Sequence, residues 1–329
     1  MKIDQELRIT RLEDDLKSLR GDKKQLLARL RLTERELNAS MHMKAVKTTR
    51  ILPIHSALTS EATAVILASD WHLEESVKSG SVSGLNSHDL AISKARSDKF
   101  FITAARLINV FKRDIPIPHA VLWLGGDFIT GNIHEENVET ALLLPIDAVI
   151  EAQNRLASGI QYLLDSTDCE WVIPCSCGNH SRLTHKQRHA TEQGNSLEMF
   201  MYYALANHFK GNRRVRFILP QGYHTYLPVY DYMLRFHHGH SIKYGGGIGG
   251  LFIPTFKAIS QWNKARNADY DFFGHWHQVK DGGSFVTNGS LIGYSAYALS
   301  IKADFEKPRQ VFCLIDKNRG RTITTPIIV

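Results

Sequence analysis

The chain has 329 residues, of which 43% are hydrophobic and 22% charged, and it contains no apolar run near the roughly 20 residues that span a bilayer. The formal net charge of +7 favours an anionic partner such as nucleic acid, and the charged first residues lack the apolar core of a signal peptide. The composition therefore predicts a globular, cytoplasmic protein without a membrane segment. The four cysteines form no Cys-x-x-Cys pairs, which argues against a structural zinc site.

The first forty residues follow a pattern of alternating steps of three and four, in which apolar side chains fill every position except Lys23 and Thr33. The apolar residues are Ile9, Leu12, Leu16, Leu19, Leu26, Leu30 and Leu37. The spacing is the heptad seam of a coiled coil, and flanking pairs of opposite charge, such as Asp15 with Arg20, fit a parallel dimer. We therefore expect residues 1–40 to form a helix that joins two copies of the chain. A single amphipathic helix packed on its own domain, or a basic helix lying on nucleic acid, would fit the same pattern.

Residues 41–62 carry few signals beyond Pro53 and several Ser and Thr, which indicates a linker before a main domain over 63–329. Short apolar runs in that domain predict buried strands, and they lie at 64–68, 119–124, 171–175, 215–219, 232–236 and 271–273. Helical spacing covers 91–113, 135–165 (with a break near Pro145) and 182–210. The Ser- and Gly-rich residues 73–90 and the glycine-rich residues 245–250 indicate loops, and the tail over 284–329 predicts closing antiparallel strands. Strands that alternate with helices predict an α/β domain.

Five of the apolar runs end in residues that can bind a metal ion or move a proton. The side chains are Asp70 with His72, Asp127, Asn179 with His180, His238, and His275 with His277. Side chains at the carboxyl ends of neighbouring strands meet at one edge of a sheet. We expect the two members of each Asp-x-His or His-x-His pair to point the same way, because strand residues alternate.

Taken singly, each of these residues is as well explained by a helix cap or an ordinary polar turn. Together they supply two aspartates, one asparagine and four histidines, besides His180. One metal ion takes roughly four to six such ligands, whereas two ions about 3.5–4 Å apart can share a carboxylate and clamp a phosphoryl group. The set therefore favours a site for two metal ions.

The order of these five blocks, Asp-x-His, Gly-Asp, Gly-Asn-His, His-Gly and Gly-His-x-His, resembles the calcineurin-like metallophosphoesterases. The five blocks span residues 68–277. In spacing and general appearance, the sequence resembles phage and prophage members of this family and the nuclease subunit of the double-strand-break repair complex. The resemblance implies a two-sheet β-sandwich flanked by helices, and it says nothing about residues 1–60, where the heptad spacing predicts the coiled-coil segment. It also implies hydrolysis of a phosphoester bond by a hydroxide that bridges two divalent metal ions.

The resemblance further assigns roles to individual residues. Asp70, His72, Asp127 and His277 would hold one metal ion, and Asp127, Asn179, His238 and His275 would hold the second, with Asp127 bridging. His240 is the alternative to His238. The metal is expected to be Mn²⁺, with Fe, Zn, Co or Ni as alternatives. His180 would serve the leaving group as a general acid or stabilise the phosphoryl oxygens. Many members follow Gly-Asn-His with an acidic residue, whereas this chain has Ser181, so an orienting carboxylate for His180 is missing.

Three features favour DNA or RNA as the substrate: the net charge, the expected dimer, and the basic run after His180, which contains Arg182, His185, Lys186, Arg188 and His189. A solvated helix face would explain the same basic run. Residues expected to contact substrate are His134, Asn137, Arg182, His240 and Asn86. The alternative activity is a phosphomonoesterase or a small-molecule or nucleotide phosphodiesterase. A binding scaffold that has lost catalysis would also use this fold, but such members usually lack ligands that this chain retains.

Overall fold

The computed structural model describes residues 49–54, 60–244 and 250–329, together with Lys23. The predicted coiled-coil helix over residues 1–40 lies outside the described residues, as do 41–48 and 55–59 of the predicted linker. The chain divides into two units, residues 1–49 and 50–329, and every element below belongs to the second unit.

The described residues of this unit form strands and helices in alternation over their first half. The strands are β1 (Ala62–Ala68), β2 (His119–Leu124), β3 (Glu170–Pro174), β4 (Val215–Ile218), β5 (Thr225–Val229), β6 (Tyr232–Phe236), β7 (Tyr270–Phe273), β8 (Lys280–Asp281), β9 (Phe285–Thr287), β10 (Arg309–Asp316) and β11 (Gly320–Ile328). The helices are α1 (Leu90–Phe111), α2 (Glu135–Thr140), α3 (Pro145–Ser166), α4 (Leu197–His208), α5 (Phe252–Ala265) and α6 (Ala296–Ser300).

The larger sheet has the strand order β11-β10-β1-β2-β3-β4. Strands β1 to β4 run parallel, and β10 and β11 close the other side in antiparallel pairing. Both faces of β1 are buried: Val65 and Leu67 pack toward the second sheet, while Ala64 and Ile66 pack on the side of α1 and α3. This double burial explains why the strand is a continuous apolar run.

The second sheet has the order β5-β6-β7-β9-β8 and packs face to face against the first. Trp123 of the first sheet lies against Phe236 of the second, with ring centroids 6.1 Å apart. The outer face of the second sheet is covered by α5, whose Ile259 packs with Phe273 and Phe285. The predicted α/β class, with two stacked sheets flanked by helices, is therefore confirmed.

Three parts of the fold differ from the prediction. The predicted helix over 182–210 is wrong for its first half, because residues 182–192 are irregular and α4 begins only at Leu197. Strand β5 and helix α5 were not predicted. In the predicted linker, Ile51 is buried and pairs with Val229 of β5, so the packed region begins earlier than residue 63. Within the described part of the chain, no helix combines the length and apolar character needed to cross a membrane.

Candidate metal centre

The loops that follow β1, β2, β3, β6 and β7 converge and bring the candidate ligands together. Three overlapping groups arise, and within each group the ligand atoms all lie within 4.8 Å of one another. The groups are Asp70–His72–His277, His72–Asp127–His180 and Asp127–His238–His275. His72 and Asp127 each belong to two of these groups, so the three groups form one continuous cluster.

The Asp70 carboxylate is held in place from both sides. Its Oδ1 accepts the backbone N–H of His275 at 2.9 Å, and its Oδ2 accepts the Ser69 hydroxyl at 2.5 Å. Asn288, in turn, donates from its amide to the Ser69 oxygen at 2.9 Å. These contacts fix the carboxylate with Oδ1 only 3.5 Å from Nε2 of His277.

His72 and His277 each keep a buried ring nitrogen that has no hydrogen-bond partner among the described residues. The Nδ1 atom of His72 lies 3.1 Å from the Thr130 hydroxyl, whereas its Nε2 has no partner; in His277 the unpartnered atom is Nδ1. Burial, followed by the neighbouring His180, lowers the pKa of His72 well below its usual value, so the ring is neutral. Leaving such an atom unsatisfied costs about 1–3 kcal/mol. A neutral imidazole nitrogen is a metal ligand, so these buried lone pairs fit a cation.

His238 lies where a proton or a metal ion is required. Its Nδ1 lies 2.8 Å from the Gly125 carbonyl and must donate to it. Its Nε2 therefore faces Asp127 Oδ2 at 2.9 Å and Asn179 Oδ1 at 3.1 Å. Three lone pairs would repel one another there unless a proton or a metal ion lies between them. Although burial alone would lower it, the Asp127 carboxylate raises the pKa of His238 to about 10.

Asp127 is the carboxylate around which the other side chains are arranged. It is buried, which would raise its pKa, but His238 and His180 outweigh burial and hold the pKa well below its usual value. Its Oδ1 accepts the backbone N–H of His180 at 2.8 Å. Gly178 permits this approach, because a Cβ on that residue would lie 2.1 Å from Asp127 Oδ1.

Five candidate ligands have left-handed backbone conformations. They are Asp70 (φ 57°), His72 (φ 45°), Asp127 (φ 53°), His275 (φ 72°) and His277 (φ 53°). Only three other non-glycine residues in the described ranges have positive φ. Such conformations cost about 1–3 kcal/mol each and cluster at functional sites. The structure also corrects the reason that was predicted for the shared orientation of the Asp-x-His and His-x-His pairs. Strand β1 ends at Ala68 and β7 at Phe273, so these pairs lie beyond the strands and strand alternation does not orient them.

His180 is oriented by a backbone carbonyl. Its Nδ1 lies 2.9 Å from the Thr130 oxygen and donates to it, which leaves Nε2 as the ring atom available to a substrate. Its ring is 4.8 Å from that of His72. Ser181, which stands where an acidic residue was expected, points away and donates to Glu198 at 3.0 Å. Thr130 thus takes the orienting part that the sequence left unassigned.

Two buried glutamates that were not predicted tie the site loops together. Glu198 accepts the backbone N–H groups of Phe128 at 2.7 Å and Gly178 at 2.9 Å, linking the loops after β2 and β3. Glu74 accepts those of Thr130 and Gly131, linking the loops after β1 and β2. Burial raises the pKa of each carboxyl to about 7. Neither residue lies in a recognisable motif, so the sequence carried no signal for them.

Of the residues predicted to contact substrate, three lie beside the ligands. The exposed His134 ring is 6.0 Å from His180, and the buried His240 ring is 5.6 Å from His238. Arg182 donates to the Asn179 carbonyl at 2.6 Å and so supports the turn that carries this ligand.

Asn137 and Asn86 differ from those three. Asn137 is half-buried in α2, and its Oδ1 has no hydrogen-bond partner. The side-chain amide of Asn86 donates to the carbonyls of Ile292 and Tyr294, and its oxygen accepts from Arg96. Through these hydrogen bonds, the Asn86 side chain joins two loops. Its contact with substrate stays a prediction.

The irregular segment 182–192 forms one wall of the centre. Its side chains at His185, Lys186, Arg188 and His189 are exposed, and the His189 ring stacks on that of His240 at 5.8 Å. Gln187 and Glu192, from the same segment, contact His240 Nε2 at 3.2 Å each. The segment, hereafter the basic loop, therefore presents positive charge next to the Asp127–His238–His275 group.

Comparison with known proteins adds little to this geometry. No family model matches the chain, and no curated protein matches it. Among solved structures, it is similar to a conserved uncharacterized protein, a predicted phosphoesterase, from Streptococcus pneumoniae TIGR4. The two chains are 10% identical with a TM-score of 0.30, over 82% of this chain and 98% of that one. A similarity this weak supports no conclusion about this chain.

Proposed function

We propose that this protein is a phosphodiesterase that depends on two divalent metal ions and cleaves nucleic acid. The observation that carries the proposal is the arrangement around Asp127. An imidazole nitrogen, a carboxylate oxygen and an amide oxygen converge at hydrogen-bond distance around His238 Nε2, a position that either a proton or a metal ion must occupy. Cations would satisfy all of these atoms at once.

The donor set divides between two positions. Asp70, His72, Asp127 and His277 would hold one ion, and Asp127, Asn179, His238 and His275 the other. Nitrogen and oxygen ligands of this kind suit Mn²⁺, Fe, Zn, Co or Ni. Bound there, such ions would supply Lewis-acid stabilisation of phosphoryl oxygens and a nucleophile at neutral pH.

His180 would transfer a proton to the leaving group. Because its Nδ1 donates to the Thr130 carbonyl, a second proton would sit on Nε2. From Nε2 that proton can pass to the leaving-group oxygen as the phosphorus–oxygen bond breaks, which is general acid catalysis. Because burial lowers the pKa of His180, the ring would take up this second proton when the negative charge of a bound phosphodiester stabilises it.

A polyanionic substrate is favoured by the surroundings of the centre. The basic loop carries exposed cationic or ionisable side chains beside the candidate ligands, and the chain as a whole has a formal net charge of +7. Phosphate contacts of Lys and Arg supply much of the affinity of proteins for nucleic acid, and this share weakens as salt rises.

The test is a substrate comparison on protein stripped of metal and refilled with Mn²⁺. Bis-p-nitrophenyl phosphate, p-nitrophenyl phosphate, and single- and double-stranded DNA and RNA are compared, with metal content measured alongside. Asp127→Asn should abolish hydrolysis and lower metal content, whereas Asp165→Asn, at the exposed end of α3, should match the wild type. Cleavage of the diester and of nucleic acid supports the proposal. Hydrolysis of the monoester alone would replace it with a phosphomonoesterase.

A further inference from the structure

Tyr297 lies beside the candidate ligands without belonging to them. Its ring centroid is 5.0 Å from that of His277, with 67° between the planes, and 6.3 Å from that of His275. The ring belongs to the short helix α6, which is anchored by the buried Ser295 and Ala298. The backbone therefore presents this aromatic ring at the edge of the centre.

The Tyr297 side chain retains unused binding capacity. It is half-buried, and it packs into none of the hydrophobic clusters formed by the described residues. Within those residues, no hydrogen bond to its hydroxyl is found. An aromatic face that serves neither core packing nor a polar network is free to bind a ligand.

The two sides of the centre differ in charge. Next to His277 and to Ala298, the neighbour of Tyr297 in the chain, a small cavity is lined by Asp304, Glu306 and Lys307. Both carboxylates of this cavity are paired, Asp304 with Lys280 at 2.8 Å and Glu306 with Arg309 at 3.7 Å. The basic loop lies instead near His240, beside the other group of ligands. Because the carboxylates on this side are paired with cations, whereas the basic loop exposes Lys186 and Arg188, the phosphates of a bound strand would be held on the basic-loop side. The Tyr297 side then suits an uncharged, planar part of the substrate.

We propose that the Tyr297 ring, held 5.0 Å from His277, is the binding surface for an unpaired nucleobase next to the phosphodiester that is cleaved. The proposal rests on the nuclease function proposed above and adds a preference for single-stranded substrate. Bases stack on aromatic side chains with little dependence on sequence, because every base has a π face. The preference would therefore be for strandedness and for the presence of a base, and not for a particular base.

The experiment pairs two variants with abasic substrates in the full chain loaded with Mn²⁺. A single-stranded oligonucleotide is compared with copies that carry one abasic site, moved stepwise across the cleavage position. Affinity is measured by fluorescence anisotropy in a His180→Ala background, and kcat and KM are measured with His180 intact. Tyr297→Ala should weaken binding of the normal strand roughly 5- to 150-fold, the range expected for one stacked base. Tyr297→Phe, which keeps the ring, should stay within about twofold of the wild type.

The abasic substrates make the test specific. At one position, removing the base should weaken binding to the wild-type protein by the same factor as Tyr297→Ala weakens binding of the normal strand. With that abasic substrate, Tyr297→Ala should cause no further loss of affinity, which is the result expected for two groups that interact directly. A loss in Tyr297→Ala that persists at every abasic position would overturn the proposal in favour of indirect support of His277. An equal loss in Tyr297→Phe would overturn it in favour of a hydroxyl contact to phosphate.

Controls separate this inference from the function on which it rests. Tyr162→Ala removes a similarly exposed tyrosine near the end of α3, next to the start of β3 and away from the ligand loops, and should have no effect. Thermal melting and metal content show whether each variant folds and retains its ions. If the wild type cleaves the small diester but neither binds nor cleaves nucleic acid, both proposals fail. If it cleaves nucleic acid and Tyr297→Ala is unchanged, the inference about Tyr297 fails alone.

Discussion

Replacing Glu198 by alanine should destabilise the protein strongly, although this residue is not a candidate ligand. The side chain is fully buried and accepts three hydrogen bonds, from the N–H groups of Phe128 and Gly178 and from the Ser181 hydroxyl. Each buried donor left without an acceptor costs about 1–3 kcal/mol. For three donors, with partial rearrangement, we expect a loss of about 3–6 kcal/mol.

The loss should depend on pH in a defined direction. Burial, followed by the charge of Asp127, raises the pKa of Glu198 from 4.5 to about 7 in the folded protein. The folded state therefore holds this proton more tightly than the unfolded state, and wild-type stability falls as pH rises from about 4.5 to 7. Glu198→Ala lacks this dependence, so the difference in stability should shrink by up to about 3 kcal/mol between pH 5 and pH 8.

The assay is urea unfolding of metal-free wild type and variant at pH 5, 6, 7 and 8, with metal content measured separately after refilling with Mn²⁺. Glu170→Ala, an exposed glutamate at the start of β3, serves as the control and should stay within about 0.5 kcal/mol of wild type. Glu198→Gln keeps the volume but offers one acceptor oxygen, so it should fall between the two. A destabilisation below 1 kcal/mol, or one that is constant over this pH range, would refute the reasoning.

Three further predictions concern the centre itself. His180→Ala should keep both metal ions and lose most turnover, with the smallest loss for substrates with good leaving groups; an equal loss across leaving groups would indicate phosphate stabilisation instead. Tyr223→Phe removes the oxygen that accepts the N–H groups of Gly239 and Ser241 at 3.2 and 3.1 Å. Metal affinity should therefore fall about tenfold or more, as it does for other residues that orient ligands. Tyr226→Phe is the control, and an unchanged metal affinity in Tyr223→Phe would contradict this role. Because the pKa of His238 is raised to about 10, its contribution to stability is complete below pH 6.5 and is lost toward pH 10, so metal-free protein should lose up to about 1.4 kcal/mol per pH unit in that range; Mn²⁺ should remove this slope, and parallel melting curves with and without metal would disprove it.

The parts of the fold that could be predicted from sequence are those in which one cause dominates. Strand β1 is a continuous apolar run because Val65 and Ile66 face different buried layers. The same reasoning located β2 and β3, and with them the loops that carry Asp70, Asp127 and Asn179. Position at the end of a buried strand was thus sufficient to bring the candidate ligands to one place.

The parts that could not be predicted depend on the backbone or on burial. The partner of His180 Nδ1 is the Thr130 carbonyl, and every residue carries such a group, so residue type gives no indication of it. Glu198 lies in the first turn of α4, where an acidic residue would be expected to cap the helix and face solvent. The segment 182–192 is not helical because its side chains bond elsewhere: Arg182 bonds the carbonyls of Asn179 and Thr184. Gln187 and Glu192 contact His240.

The left-handed backbone conformations and the unpartnered ring nitrogens of the centre can be explained together. Left-handed conformations at Asp70, Asp127 and three histidines together cost on the order of 5–15 kcal/mol, and the unpartnered nitrogens of His72 and His277 add to this. A marginally stable domain tolerates such a sum only where the surrounding structure enforces it. The enforcing contacts are present, since Glu74, Glu198 and Ser69 fix the loops before any ligand binds. The candidate ligands are therefore fixed by contacts within the protein itself, and cations bound by them would contribute directly to the stability of the folded state.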